Sequence, residues 1–280
     1  MTTVLAPTPT VRPSVLDRVS GPVRDVWSLT RRNLIHVARE PMQLSDVTIQ
    51  PILFTLLFIY VFGSAIPIVG GYKEYAMAGL LTMNVTTSTM GTAVGLATDL
   101  HEGAIDRFRT LPMWRAAVLV GRSIADVMTA SVCVLIVALT ALAIGWRGQA
   151  SIPSILGGFG ITLLFAYSLS WPAACAGLRA KSAESATSFG FIFLFPLAFI
   201  SNALVPTQGM PTWLRDFANW NPVSAVTAAA RHLFGNPNPS ATIHAWPMQH
   251  PVEASLIWVV VIVAVFAPLA SYFFRQRTTD

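Results

Sequence analysis

The sequence predicts an all-α, polytopic membrane protein with six transmembrane helices, and three observations carry that prediction. Hydrophobic residues make up 54% of the 280 and charged residues only 11%, with a mean hydropathy of +0.59. That is more apolar surface than a soluble fold of this length can hide. The charges gather in short clusters between long uncharged runs, as expected when lipid is the solvent. Finally, Lys and Arg are divided unequally between alternate connecting segments, which is how membrane topology is written into a sequence.

Taken in order, residues 1–21 read as a cytoplasmic tail, with Arg12 and Arg18 and no apolar core that would make a signal peptide. Residues 22–41 show a helical period. Val23, Val26, Trp27, Thr30, Leu34, Val37 and Ala38 share one face, and Arg24, Asp25, Arg31, Arg32 and Arg39 the other. A basic amphipathic helix carrying Trp27 predicts an element lying in the membrane interface. Pro22 suits its first turn and Pro41 ends it.

Residues 42–280 read as one transmembrane domain. Its spans fall at about 47–69, 75–98, 116–146, 152–176, 186–204 and 253–274, each long enough for a hydrocarbon core of about 30 Å. Span two is polar for its class, with Asn84, Thr86, Thr87, Ser88 and Thr89 together. Span three contains Arg122 and Asp126, four apart on one helical face, and mutual pairing is preferred to a proton relay. Span four carries Gly157, Gly158 and Gly160, which permit close helix contact, and Pro172, where a kink is expected. Residues 205–251 are dense in Pro, Asn and Trp and read as neither span nor ordinary loop.

With both termini inside, fourteen Lys and Arg lie on the inner side against four outside, the latter being Lys73, Arg147, Arg215 and Arg231. This asymmetry predicts a multi-pass protein with both termini cytoplasmic. It also accounts for the net charge of +5 without nucleic acid, since the basic residues sit between spans instead of forming one stripe. Cys133 and Cys175 both fall in apolar runs and read as small buried hydrophobes; no metal site is expected.

The chain contains no G-x-x-x-x-G-K-[ST] phosphate loop. His101-Glu102 begins like a zinc-protease motif, but Ile105 stands where the second His is required. No acidic pair suited to magnesium and no nucleophile elbow is found, so no catalytic residue is assigned. In the loop 99–115, Leu100, Ala104, Ile105, Phe108 and Leu111 can form one apolar side of a short helix that Pro112 stops, with Glu102, Asp106, Arg107 and Arg109 supplying charge. Such an element either docks on a partner, with Phe108 as anchor, or merely joins two spans.

The string EGAIDRFRTLPMWRAAVLVGR, from Glu102 to Arg122, resembles the coupling-helix region of ABC-2 type permeases, most closely the daunorubicin-resistance DrrB group of actinobacteria. MPTWLRDFANWNPVSAVTAAAR, Met210 to Arg231, resembles the segment that follows span five in the same family, including Asn221-Pro222 and the closing Arg231. The resemblance extends to the interfacial helix, the order of spans and an external re-entrant hairpin before the last span, the type V exporter-like arrangement. It implies a subunit of the bacterial plasma membrane that pairs with a second permease, identical or paralogous, and with two copies of an ABC nucleotide-binding subunit. ATP and Mg2+ would be held by that partner and no cofactor by this chain. The residues implied to couple to the ATPase are Glu102, Gly103, Asp106, Arg107, Phe108 and Arg109, together with the interfacial helix through Trp27, Arg31, Arg32 and Arg39. Many relatives carry a longer acidic run before the Gly, where this sequence has Asp99, His101 and Glu102.

A path for an amphipathic drug or lipid is expected along spans two and five, through Asn84, Thr87, Ser88, Phe189, Phe193, Phe199 and Asn202. The same residue types also glue helices or face lipid. In the external hairpin, Trp213, Leu214, Phe217 and Trp220 share one side of a short helix next to Asn221, which suits either an interfacial anchor or an exit gate. The alternative to an ATP-driven exporter is a stand-alone passive channel or lipid scramblase.

Overall fold

A computed structural model describes residues 15–101 and 117–279, and every regular element within them is a helix. Four of these helices are long and apolar enough to cross a membrane: Leu44–Phe62, Leu119–Ala143, Ile152–Arg179 and Pro251–Gln276. They belong to α2 (Pro41–Leu57, prolonged by a π-helical turn Phe58–Phe62), α5 (Ala117–Ala143), α6 (Ile152–Arg179) and α11 (Pro251–Thr279). Helix α7 (Ala183–Phe199) is apolar but has 17 residues, a rise of about 26 Å.

The remaining apolar run, expected as an unbroken second span, is two helices. These are α3 (Tyr72–Ser88) and α4 (Met90–His101), interrupted at Thr89. The cause is legible in the side chains. Thr82, Thr86, Thr87, Ser88 and Thr89 each return a hydroxyl hydrogen bond to a carbonyl three or four residues back. Such back-bonding competes with the helical ladder and bends it.

The amphipathic helix is longer than its period predicts: α1 runs Val15–Arg39 and packs along α5. Thr30 Oγ1 donates both to its own turn at Val26 O and across to Gly121 O, and Leu29 is buried beside it. The polar segment after α7 is a helical hairpin. A 3₁₀ turn, Thr207–Gly209, leads to α8 (Thr212–Trp220) and α9 (Pro222–Phe234); a second 3₁₀ turn, Pro239–Thr242, and the short α10 (Trp246–Gln249) lead into α11. Asn221 caps α9 by accepting from Val223 N–H, Pro222 occupies the first turn, and Gly235, at φ 69°, closes it in the left-handed region.

The bundle therefore has two distinguishable ends. At one, called here the hairpin end, Tyr72, Tyr75, Leu80, Leu81, Trp146 and Phe234 form the largest core. At the other, the terminal end, Leu96, Leu119, Trp171, Leu178 and Phe274 pack together near the start of α5 and the close of α4, α6 and α11. Lipid is as apolar as these side chains, so close fit has to supply the cohesion that water supplies to soluble cores. Of the three span-four glycines, Gly158 seats the Phe234 ring, whereas Gly160 faces open space.

The tightest seat is on α3, where a Cβ on Gly79 would lie 1.8 Å from Ala203 O, in the turn after α7. Backbone cannot retreat there. Gly79→Ala is expected to destabilise the domain by about 1–3 kcal/mol, whereas Gly160→Ala, which meets no atom within 4 Å, leaves it unchanged or slightly firmer. Paired thermal melts of the two variants in detergent check this, and equal melting temperatures would refute the close contact.

Candidate functional site

Two arginines grip the backbone of the broken helix, one near each part. Arg122, on the second turn of α5, donates from Nη2 to Gly91 O at 2.7 Å, just past the break. Its Nε lies 3.3 Å from Asp126 Oδ1, and Asp126 Oδ2 accepts from Thr92 Oγ1 at 2.7 Å. The guanidinium lies flat on α4 because Gly95 has no side chain; a Cβ there would stand 2.2 Å from Nη2. The i,i+4 pairing expected from the sequence is thus present. It serves a contact between α4 and α5 as well as neutralising itself, and Ser170 Oγ to Ser123 Oγ at 3.1 Å extends it to α6. One turn further out, Arg32 of α1 pairs with Asp99 of α4.

The second clamp lies at the hairpin end. Arg231, on the last turn of α9, is wholly buried. Its Nε donates to Tyr75 O at 2.9 Å, and its Nη2 donates to Asn202 O and Ala203 O, each at 2.8 Å. The guanidinium carbon sits 3.6 Å from the centroid of the Tyr75 ring, whose hydroxyl donates to Asn202 O at 2.6 Å. No carboxylate pairs with Arg231 among the described residues. Carbonyls just beyond the C-terminus of α7 and the face of an aromatic ring supply the negative potential instead.

At the other end of α9, Asn221 Nδ2 donates to Leu197 O and Ile200 O at 2.8 and 2.6 Å. Helix α9 is thus fastened at both ends to the exit of α7. Its C-terminal carbonyls are met by the α5–α6 connection and the first turn of α6: Gln149 and Ala150 N–H donate to Phe234 O, and Ser154 Oγ to Leu233 O. Asn202 N–H in turn donates to Ser224 Oγ.

The residues expected to matter fall in separate places. Glu102, Gly103, Asp106, Arg107, Phe108 and Arg109 lie outside the described residues. Trp27, Arg31 and Arg32 line an open groove on α1 with Ser28 and Ile35, and Arg39 is exposed at the end of the same helix. Asn84, Thr87 and Ser88 stand at the foot of α3, where each donates to a carbonyl of its own helix. Phe189, Phe193 and Phe199 are exposed on α7, which packs on α3 and α4, with the Phe189 and Phe193 rings 4.4 Å apart. Asn202 is separate from these and buried, with its Nδ2 donating to Met248 Sδ at 3.4 Å beside the Arg231 cage. Trp213 and Trp220 are exposed along α8, while Asn221 is buried as described.

Sequence reasoning counts Arg231 only as a charge on the outer side, without its burial, and misses Tyr75 and Thr92 altogether. A signal was available for the first: Arg231 closes an otherwise uncharged, small-residue helix that ends at Gly235. A lone cation there has carbonyls in reach and no water. Nothing in the pattern distinguishes Thr92 from its hydroxyl-bearing neighbours.

A bundle of lipid-compatible helices, joined by arginine-to-carbonyl bonds and bearing a capped helical hairpin ahead of its last long apolar helix, is an integral, polytopic membrane protein. Residues 24–234 match the ABC-2 type transporter family, and the chain belongs to it. It is similar to the "Daunorubicin resistance ABC transporter permease protein DrrB1" of Streptomyces coeruleorubidus, being 31% identical over 269 residues that cover 95% of this chain and 90% of that one. It is also similar to the "Probable doxorubicin resistance ABC transporter permease protein DrrC" of Mycobacterium tuberculosis, at 27% over 255 residues, 89% of this chain and 88% of the relative. A "Probable multidrug ABC transporter permease YbhR" of Escherichia coli is 24% identical over 166 residues, 58% of this chain and 44% of that one.

The Arg122 cluster yields a stability prediction. Its two side chains are 18% and 21% exposed, so removing one partner costs less than the about 3–5 kcal/mol of a fully buried pair. Asp126→Ala is expected to cost about 1–3 kcal/mol by leaving a guanidinium without its carboxylate. The double variant Arg122→Met with Asp126→Leu should lose less than the sum of the single losses. A thermal-unfolding cycle in detergent measures the coupling; strict additivity would mean that the pair does not act as a unit.

Proposed function

We propose that this chain is the membrane-spanning permease subunit of an ATP-binding cassette exporter. It moves a hydrophobic or amphipathic molecule, a drug or a complex lipid, outward across the bacterial plasma membrane. The observation that carries the reading is family membership over the body of the chain, joined to a particular placement. Segment 102–116, whose sequence resembles the family's coupling helix, is bracketed by α4 and α5, and those two helices are tied together by Arg122, Asp126 and Thr92. A push on that segment would be received by a braced pair of helices and not by a slack loop.

The terminal end is cytoplasmic in this reading, because fourteen of the eighteen Lys and Arg fall on that side. Both termini are then inside and the α8–α9 hairpin outside, with Trp213, Phe217 and Trp220 at the depth where tryptophan settles. ATP and Mg2+ are bound by a separate ABC nucleotide-binding subunit, present in two copies. Its closure is delivered through Glu102, Gly103, Asp106, Arg107, Phe108 and Arg109, and through Trp27, Arg31, Arg32 and Arg39 of α1. A second permease, identical or paralogous, completes the path, since one bundle of this size packs its own interior and leaves α7 with an exposed aromatic face. That face, with Phe189, Phe193 and Phe199, and the foot of α3, with Asn84, Thr87 and Ser88, offer apolar area and hydroxyls in the mixture that an amphipathic molecule needs.

Purification in mild detergent is expected to bring down a Walker-bearing ATPase with the chain. Glu102→Ala combined with Arg109→Ala should release that ATPase and abolish transport while membrane insertion stays intact. If association and transport both survive, the docking assignment is wrong. ATP-independent flux through the chain alone in liposomes would favour a passive channel or scramblase.

A further inference from the structure

Arg231 is an expensive way to hold a hairpin. Burying a guanidinium with no carboxylate forfeits hydration that only well-aimed partners can replace. A neutral amide does the equivalent task at the other end of the same helix, where Asn221 reaches two carbonyls. What the guanidinium adds is reach and planarity. Its fork meets three carbonyls on two other elements at once: Tyr75 O within α3, and Asn202 O and Ala203 O after α7. The same point is where α3 comes closest to the α7 turn, at Gly79. Three elements therefore share one polar knot.

The position of that knot along α3 matters. At its foot α3 parts from α4 at Thr89, and α4 is held by a different arginine, Arg122, at Gly91 O. Each part of the broken helix thus has its own guanidinium from a different helix, α4 from α5 and α3 from α9. A displacement of α4 can bend the chain at Thr89, and what it passes on to α3 reaches the hairpin through the residue that grips α3.

We infer that Arg231 is a positioning residue for transport, a latch that fastens the α8–α9 hairpin to α3 and the α7 turn so that movement of α3 carries the hairpin with it. This rests on the exporter reading for its consequence in transport, but not for its consequence in structure. Because the guanidinium is wholly buried and its hydrogen-bond partners are backbone atoms, the side chain is either seated or out, which suits a two-position device.

The test uses two readouts. In the full chain in lipid nanodiscs, hydrogen–deuterium exchange of Arg231→Met is expected to rise at least tenfold over residues 201–204 and 222–234, with residues 119–143 unchanged. In proteoliposomes of the complete transporter with its ATPase, daunorubicin serves as probe. Arg231→Met should keep ATP hydrolysis within twofold and lower daunorubicin moved per ATP at least tenfold. Arg231→Lys, which keeps charge but loses the fork, should recover less than half of that ratio. Tyr75→Phe removes only the hydroxyl bond to Asn202 O and should shift both readouts in the same direction by less. Unchanged exchange overturns the latch, and so does a proportional fall of hydrolysis and transport together. Should the unsubstituted complex move no daunorubicin with ATP, the export reading for this probe fails, while the exchange result still decides the latch.

Discussion

Hydrocarbon offers a peptide group nothing to bond with, so every carbonyl freed where a helix stops inside the bundle must be met by the chain itself. This constraint organises the present fold. Helices end within the bundle in three places, namely the α3–α4 break, the exit of α7 and the close of α9. Each is answered by a side chain or a neighbouring segment: the Ser88 and Thr89 hydroxyls at Val85 O and Thr86 O, Asn221 and Arg231 around residues 197–203, Gln149, Ala150 and Ser154 at the end of α9. Breaks that a soluble protein would leave to water become, in lipid, the points where separate elements are joined.

The same arithmetic explains why the arginines go to carbonyls more than to acids. A carboxylate brought into the bundle must itself be desolvated, as Asp126 is, with Thr92 and Arg122 sharing its oxygens. A carbonyl past a helix C-terminus is already there and already carries part of the helix dipole. Cohesion elsewhere comes from fit: Gly79 under Ala203, Gly158 under the Phe234 ring, Gly95 under the Arg122 fork.

How far the sequence could be read follows from which forces are periodic. Apolar runs and charge asymmetry repeat along the chain, so the all-helical class, the amphipathic first helix and the anomalous segment before the last span were legible, as was the Arg122–Asp126 pair from its spacing of four. The break at Thr89 was half legible. The cluster Asn84 to Thr89 announced an unusual span, but hydroxyls that bond backward read the same as hydroxyls that face a ligand. The burial of Arg231 was not legible, because counting charges by loop cannot see a residue that folds back between helices. Asn202 was assigned with its neighbours on α7, yet the helix ends at Phe199, and three residues later the chain has already turned into the cage.

Helix α7 stands apart from the rest in how loosely it is enclosed. Of its seventeen residues only Ala186, Gly190, Leu194 and Ala198 are buried, a narrow strip at four-residue intervals, while Phe191, Ile192 and Phe193 project outward. Apart from the half-buried Ala183, Thr187 and Leu197, the remainder of its circumference is exposed. A spin label or fluorophore attached at position 191 or 192 would leave the interior seams undisturbed, so this helix is the natural vantage from which to watch the molecule at work.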